Sequence, residues 1–167
     1  MKRKQPVAGI VLLTVVCLTV LAGCGAEKSG TEATMDQKKL EDFAVRYAAA
    51  WSGGDSEAWA AFYAEDATFR INDGEIARRR EGIAEVGLSF MTAFPDMVVA
   101  LENVVPTETG AEFHWRWTGT NTGPGGSGRP VDMKGFERWT FNSDGLIQSV
   151  QGHFDDAEYA RQMGTED

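Results

Sequence analysis

The fold class this sequence predicts is α+β, on three observations: amphipathic helical patterns gathered between residues 36 and 93, four long strand-like runs after them, and one short helical pattern at the end. Its 167 residues suit a single domain, large enough to stand on its own hydrophobic core.

From Asp36 the apolar residues Leu40, Phe43, Ala44, Tyr47 and Trp51 recur every three or four positions, the spacing of one helix face, until Gly53-Gly54 ends it. Asp55 is placed to cap a second, short helix carrying Trp59 and Phe62. Ala67–Ile71 predicts a first strand, closed by the turn signal Asn72-Asp73-Gly74, with a short second strand at Glu75–Arg78. A third helix over Gly82–Ala93 buries Ile83, Val86 and Phe90 and is stopped by Pro95. Then come the strand-like runs Met97–Pro106, Ala111–Thr120, Val131–Asn142 and Leu146–Phe154, which predict an antiparallel meander, and a terminal helix through Tyr159 and Met163. The Gly-rich stretch Thr120–Pro130 predicts a mobile hairpin loop; it lacks the Lys-Ser/Thr ending of a phosphate cradle. A curved sheet with helices on one face leaves room between the layers for a ligand pocket.

The N-terminus has a different character. Lys2, Arg3 and Lys4 precede an uncharged, Val- and Leu-rich stretch from Pro6 to Gly23, the pattern of a secretory signal. It ends in Leu21-Ala22-Gly23-Cys24, which resembles the bacterial lipobox and predicts cleavage before Cys24 and acylation of that cysteine. Residues 1–23 are thus expected to be a lipoprotein signal peptide, 24–35 a flexible tether, and 36–167 the folded domain, exported and anchored to the membrane on its extracytoplasmic side. Cleavage leaves 13 basic against 25 acidic residues and one cysteine. A disulfide framework is therefore excluded for the mature chain, and the acidic balance argues against nucleic acid as a partner, since nothing forms a row of cations against phosphates.

Chemistry-bearing residues fall into two sets. Gln151, His153 and Asp155 alternate along the end of the last strand and share a face. Either that face is a pocket, where Asp155 acts as a proton carrier beside His153, or Asp155 caps the terminal helix. On the preceding long strand His114, Arg116 and Thr118 alternate with Phe113, Trp115 and Trp117. The polar set is either a wet outer face or the lining of a pocket in which Arg116 binds an oxyanion. Trp51 and Tyr63 are core residues by pattern, with Tyr63 able to offer a hydroxyl to a ligand. His114, His153 and Asp155 are too thin a ligand set to predict a metal site. Arg78-Arg79-Arg80, flanked by acids, reads as a solvated face.

Four motifs carry a resemblance: Phe94-Pro95-Asp96-Met97, Trp117-Thr118-Gly119-Thr120, Asp144-Gly145-Leu146-Ile147, and Asp155 followed by Arg161-Gln162-Met163-Gly164. In this order and spacing, from about Leu40 to Gly164, the chain resembles the SnoaL-like polyketide cyclases (ester-cyclase-like) of the nuclear-transport-factor-2-like superfamily. The resemblance implies an α+β cone, often a homodimer through the outer sheet face, enclosing a deep small-molecule pocket. It also implies cyclisation by an Asp acid/base without metal or cofactor, and Asp155 holds the matching position. Two motifs depart: Gly119-Thr120-Asn121 stands where the family commonly has Gly-Thr-His, and Ser149-Val150-Gln151 where it has Glu-x-Trp. The alternative expectation is a non-catalytic lipoprotein that uses the pocket or the outer sheet for binding.

Overall fold

The computed structural model describes residues 29–165, with side chains from Gln37 onward. The signal peptide at 1–23 and the lipidated Cys24 lie outside the described residues. Among those described, no helix is long and apolar enough to cross a membrane.

Helix α1 runs Ser29–Ser52, starting ahead of Asp36 although its apolar stripe begins at Leu40. Helix α2 (Ser56–Ala60) is capped as expected, the Asp55 carboxylate accepting from the amides of Glu57 and Ala58. Strands β1 (Tyr63–Ile71) and β2 (Ala77–Arg78) form a hairpin, and helix α3 (Arg79–Ala93) follows at once. The four long strands are β3 (Val98–Pro106), β4 (Gly110–Thr120), β5 (Pro130–Phe141) and β6 (Ile147–Phe154), and helix α4 (Asp156–Met163) ends the fold.

One curved sheet holds all six strands in the order β2-β1-β6-β5-β4-β3. Strands β3 to β6 are the predicted antiparallel meander, but β1 lies parallel to β6, so the sheet is mixed. Parallel pairing leaves no local turn signal, because the two strands are joined through most of the domain. An irregularity between Leu101 and Asn103 bends the β3–β4 edge, where an unpaired residue increases twist.

Period-2 alternation sorts every long strand. On β4, Phe113, Trp115 and Trp117 are buried under the helices, whereas His114, Arg116 and Thr118 lie on the opposite face. The buried rings interlock edge to face: Phe43 of α1 meets Phe62, Trp139 and Phe141, and Tyr47 meets Phe113 and Trp139.

Two expectations change. The Gly-rich loop is tied down rather than loose: buried Asn121 donates to the Ala93 carbonyl at the end of α3, and its side-chain oxygen accepts from the Ser127 amide. A buried amide must be satisfied, so the loop closes around it. Arg80, expected on a solvated face, instead clamps α3 to β1. Its guanidinium donates from Nε and Nη2 to the Tyr63 carbonyl and from Nη1 to Glu65.

Candidate functional site

Between the sheet and the helices lies a cavity of about 50 Å³, walled by Trp51 of α1, Phe69 of β1, Phe90 of α3, Trp115 and Trp117 of β4, and Phe154 of β6. That is room for a few water-sized groups in this conformation. Among the described residues the wall contains one acid, Glu137, one histidine, His153, and no lysine or arginine.

Glu137 is there because of strand parity. Val131, Met133, Gly135, Glu137, Trp139 and Phe141 occupy alternate positions of β5 and turn inward, so a carboxylate enters an otherwise apolar row. It is 5% exposed. Its Oε2 accepts two hydrogen bonds, from the Tyr47 hydroxyl at 2.8 Å and from the Trp139 indole N–H at 2.7 Å. Oε1 has no hydrogen-bond partner among the described residues, yet it is not an enclosed orphan atom either. Glu137 lines the cavity, and Oε1 is the carboxyl oxygen left free for a bound molecule.

Tyr47 has one proton and gives it to Glu137, so the 2.6 Å contact between the Tyr47 and Tyr63 oxygens is a donation from Tyr63. A directed chain results, from Tyr63 to Tyr47 to Glu137. Burial raises both phenols well above their ordinary range, and Coulombic repulsion adds to the rise, so both remain donors at neutral pH. Burial also pushes the Glu137 carboxyl up to about 7, against the pull of its two hydrogen bonds. With Oε2 occupied as an acceptor, the proton of the neutral acid belongs on Oε1, facing the cavity. Near neutrality this group can give a proton to a bound molecule or take one from it.

The sequence-predicted residues divide. Trp51 walls the cavity, and Tyr63 stands at the head of the hydrogen-bond chain. Asp155 does not reach the cavity: it is exposed and caps α4, Oδ1 accepting from the Glu158 amide at 3.0 Å. The physical reason is that β6 ends at Phe154, so the chain is already turning into the helix at 155. Arg116 is on the outer face in a two-pronged ion pair with Asp132. His114 is there too, 3.3 Å from Glu112. Gln151 donates to the Asn72 carbonyl at the sheet margin. His153 belongs to the wall of the cavity, but its ring packs on Phe136, which His114 also meets, in a row across the outer face. Outer-face parity separates these four from the inward-facing Glu137.

Sequence reasoning missed Glu137 and Tyr47. The signal for Glu137 was legible, one acid in the apolar period of β5; Tyr47 looked like any other member of the α1 stripe.

A curved six-stranded sheet packed on helices, with an apolar cavity between it and helices α1 and α3, defines an α+β protein of the ketosteroid-isomerase-like, nuclear-transport-factor-2-like class. Within it, the SnoaL-like domain family matches residues 44–150, and the chain belongs to that family. Similar solved structures include a ketosteroid isomerase-like fold protein from Catenulispora acidiphila DSM 44928 in complex with trimethylamine: 18% identity, TM-score 0.66, 74% of this chain and 92% of that one. A phenazine biosynthesis-related protein from Pseudomonas aeruginosa aligns at 17% identity and TM-score 0.67, over 80% of this chain and 90% of its own. The epoxide hydrolase/cyclase-like enzyme SalBIII, associated with pyran ring formation in salinomycin, aligns at 17% and 0.64, over 74% and 95%. At these identities the likeness is one of fold. No curated protein matches the sequence.

Proposed function

We propose that this SnoaL-like domain binds a small, largely apolar molecule in the aromatic cavity, and that Glu137 serves as its general acid/base. The observation that carries the proposal is the state of one carboxyl in the wall of an apolar cavity: Oε2 is fixed by Tyr47 and Trp139, while Oε1 has no partner among the described residues. A carboxyl so held can exchange a proton with a bound molecule near neutral pH. The acid/base role expected of Asp155 passes to Glu137, which the sheet turns inward.

The chain is further proposed to be exported and held to the membrane by acyl chains on Cys24. The charged start, the apolar run to Gly23 and the Leu21-Ala22-Gly23-Cys24 ending support this. A homodimer through the outer sheet face is proposed from the family resemblance alone, and sedimentation of the purified chain tests it.

The test of function is a thermal-shift screen of the full-length chain against hydroxy-ketones, steroids, aromatic polyketides and organic acids, followed by a turnover assay on whatever stabilises it. Turnover that disappears in Glu137→Gln supports the enzyme. Stabilisation without turnover leaves a binding lipoprotein, and no stabilisation by any class counts against the pocket.

A further inference from the structure

We propose that the cavity is built for an organic ammonium ion, a small protonated amine whose charged head sits among the rings of Trp51, Trp115 and Trp117 and donates its N–H to Glu137 Oε1. This inference rests on the pocket reading above and names the ligand class for it.

Three observations carry it. First, the free polar atom of the one acid in the wall is Glu137 Oε1, an acceptor when the carboxyl is ionised and the holder of its proton when it is neutral. Oε1 has no donor among the described residues, while the indole N–H groups of Trp115 and Trp117 are enclosed with no partner, so the wall offers a ligand no second polar group of that kind. The ionised form needs a ligand that donates and the neutral form one that takes a proton, and an amine with its ammonium meets both. Second, the wall is rich in aromatic rings, Trp51, Trp115 and Trp117 among them, beside aliphatic residues such as Ile71 and Val99, and ring faces attract cations in a desolvated site. Third, among the described residues the wall has no lysine or arginine to neutralise Glu137. A buried carboxylate without a counter-ion is costly, and a bound ammonium supplies the missing charge.

An anionic ligand is disfavoured by the same inventory, because it would set a second negative charge beside Glu137 with no lysine or arginine in the described wall to hold either, and the His153 ring packs on Phe136 at the outer face. The chain's formal charge of −9 acts in the same direction at longer range, drawing cations towards the protein and repelling anions. The proton balance closes within the site. An ammonium meeting the carboxylate and a neutral amine meeting the carboxylic acid give one complex, in which the proton lies between nitrogen and Oε1.

The experiment is titration of the full-length chain, followed by tryptophan fluorescence because three tryptophans wall the cavity. Three probes of similar size are compared at one pH: N,N-dimethylbutylammonium, the neutral alcohol 2-methylhexan-2-ol, and hexanoate. The expected order is ammonium tightest, by about tenfold or more over the alcohol, and hexanoate weakest. Glu137→Gln, which keeps the shape and an acceptor oxygen for Tyr47 and Trp139, is expected to cut ammonium affinity about tenfold while changing the alcohol's by less than about threefold. Should that variant fail to fold, the order of the three probes in the wild-type chain decides alone. An alcohol that binds as tightly as the ammonium overturns the inference and leaves the apolar-ligand pocket standing. Failure of all three probes to bind overturns both.

Discussion

Tyr47 and Glu137 are 90 residues apart in the chain and 2.8 Å apart in the fold, the hydroxyl of the first helix donating to the carboxyl of the fifth strand. The contact fixes which oxygen of Glu137 is free, and so decides what the cavity can do. It also makes the carboxyl part of the protein's stability.

Glu137 titrates at about 7 in the fold against an ordinary value of 4.5, because burial disfavours its charge. Between those two values the native state keeps a proton that the unfolded chain has released. Stability therefore falls as pH rises through this window, by an amount on the order of 3 kcal/mol once the native carboxyl has ionised. Below the unfolded value the penalty is absent. Urea unfolding at pH 4.5 and pH 8 is expected to show this loss in the wild type and not in Glu137→Gln. An equal pH dependence in both would mean that Glu137 is solvated.

Tyr47→Phe removes one of the two hydrogen bonds that lower the Glu137 carboxyl, so its titration is expected to move still higher. The variant also takes away the acceptor of the Tyr63 hydroxyl, leaving a buried donor unpaired. A stability loss of about 1–3 kcal/mol is expected for that reason. Carbon-detected NMR titration of the Glu137 carboxyl checks the shift without requiring a ligand; an unmoved titration would break the proposed chain from Tyr63 to Glu137.

This pair also marks the limit of what the sequence could yield. The helices, the turns and the meander follow from local spacing, and the family-like motifs have structural work that spacing alone does not reveal. Asp96 accepts from the amide and hydroxyl of Thr120, and Gln162 docks α4 by bonding both the amide and the carbonyl of Asp132. The parallel partnership of β1 and β6 and the pairing of Tyr47 with Glu137 depend on how distant elements meet, which no local pattern encodes. Asp155 was ambiguous for a different reason: strand alternation assigns a face only while the strand lasts, and β6 stops one residue too soon. Glu137 was the reverse case, since its inward position follows from the β5 alternation once that strand's apolar face is identified.

At Asp155 the prediction separates capping from catalysis. Asp155→Ala loses the bond to the Glu158 amide and is expected to cost about 1 kcal/mol, whereas Asp155→Asn keeps a capping oxygen and should be close to neutral. Thermal denaturation measures both. Ligand affinity and any turnover are expected to be unchanged in Asp155→Asn, and a loss of turnover there would return the acid/base role to Asp155.

Cys24→Ser is expected to move the protein from the membrane fraction to the soluble one, since each acyl methylene contributes about 0.8 kcal/mol of membrane affinity and the variant has no thiol to acylate. Fractionation of cells expressing the two forms gives the answer. Retention of the variant in the membrane would show that something other than acylated Cys24 holds it there.

Gly135 connects the backbone to the shape of the cavity. It shares the inward row of β5 with Glu137, and the edge of the Trp115 indole lies over it: a β-carbon there would stand 2.5 Å from a ring carbon of Trp115 and 2.3 Å from the His153 carbonyl oxygen. The ring could swing away, but the carbonyl belongs to the neighbouring strand, so Gly135→Ala must also open the β5–β6 pairing. A loss of about 1–3 kcal/mol is expected, with Trp115 displaced in the wall of the cavity. Urea unfolding reads the first effect and a change in tryptophan emission the second. Ligand affinity should fall even though Glu137 is untouched, because glycine at 135 is what lets Trp115 close the wall beside the carboxyl. A variant that keeps full stability and affinity would show that the ring is not held by this contact.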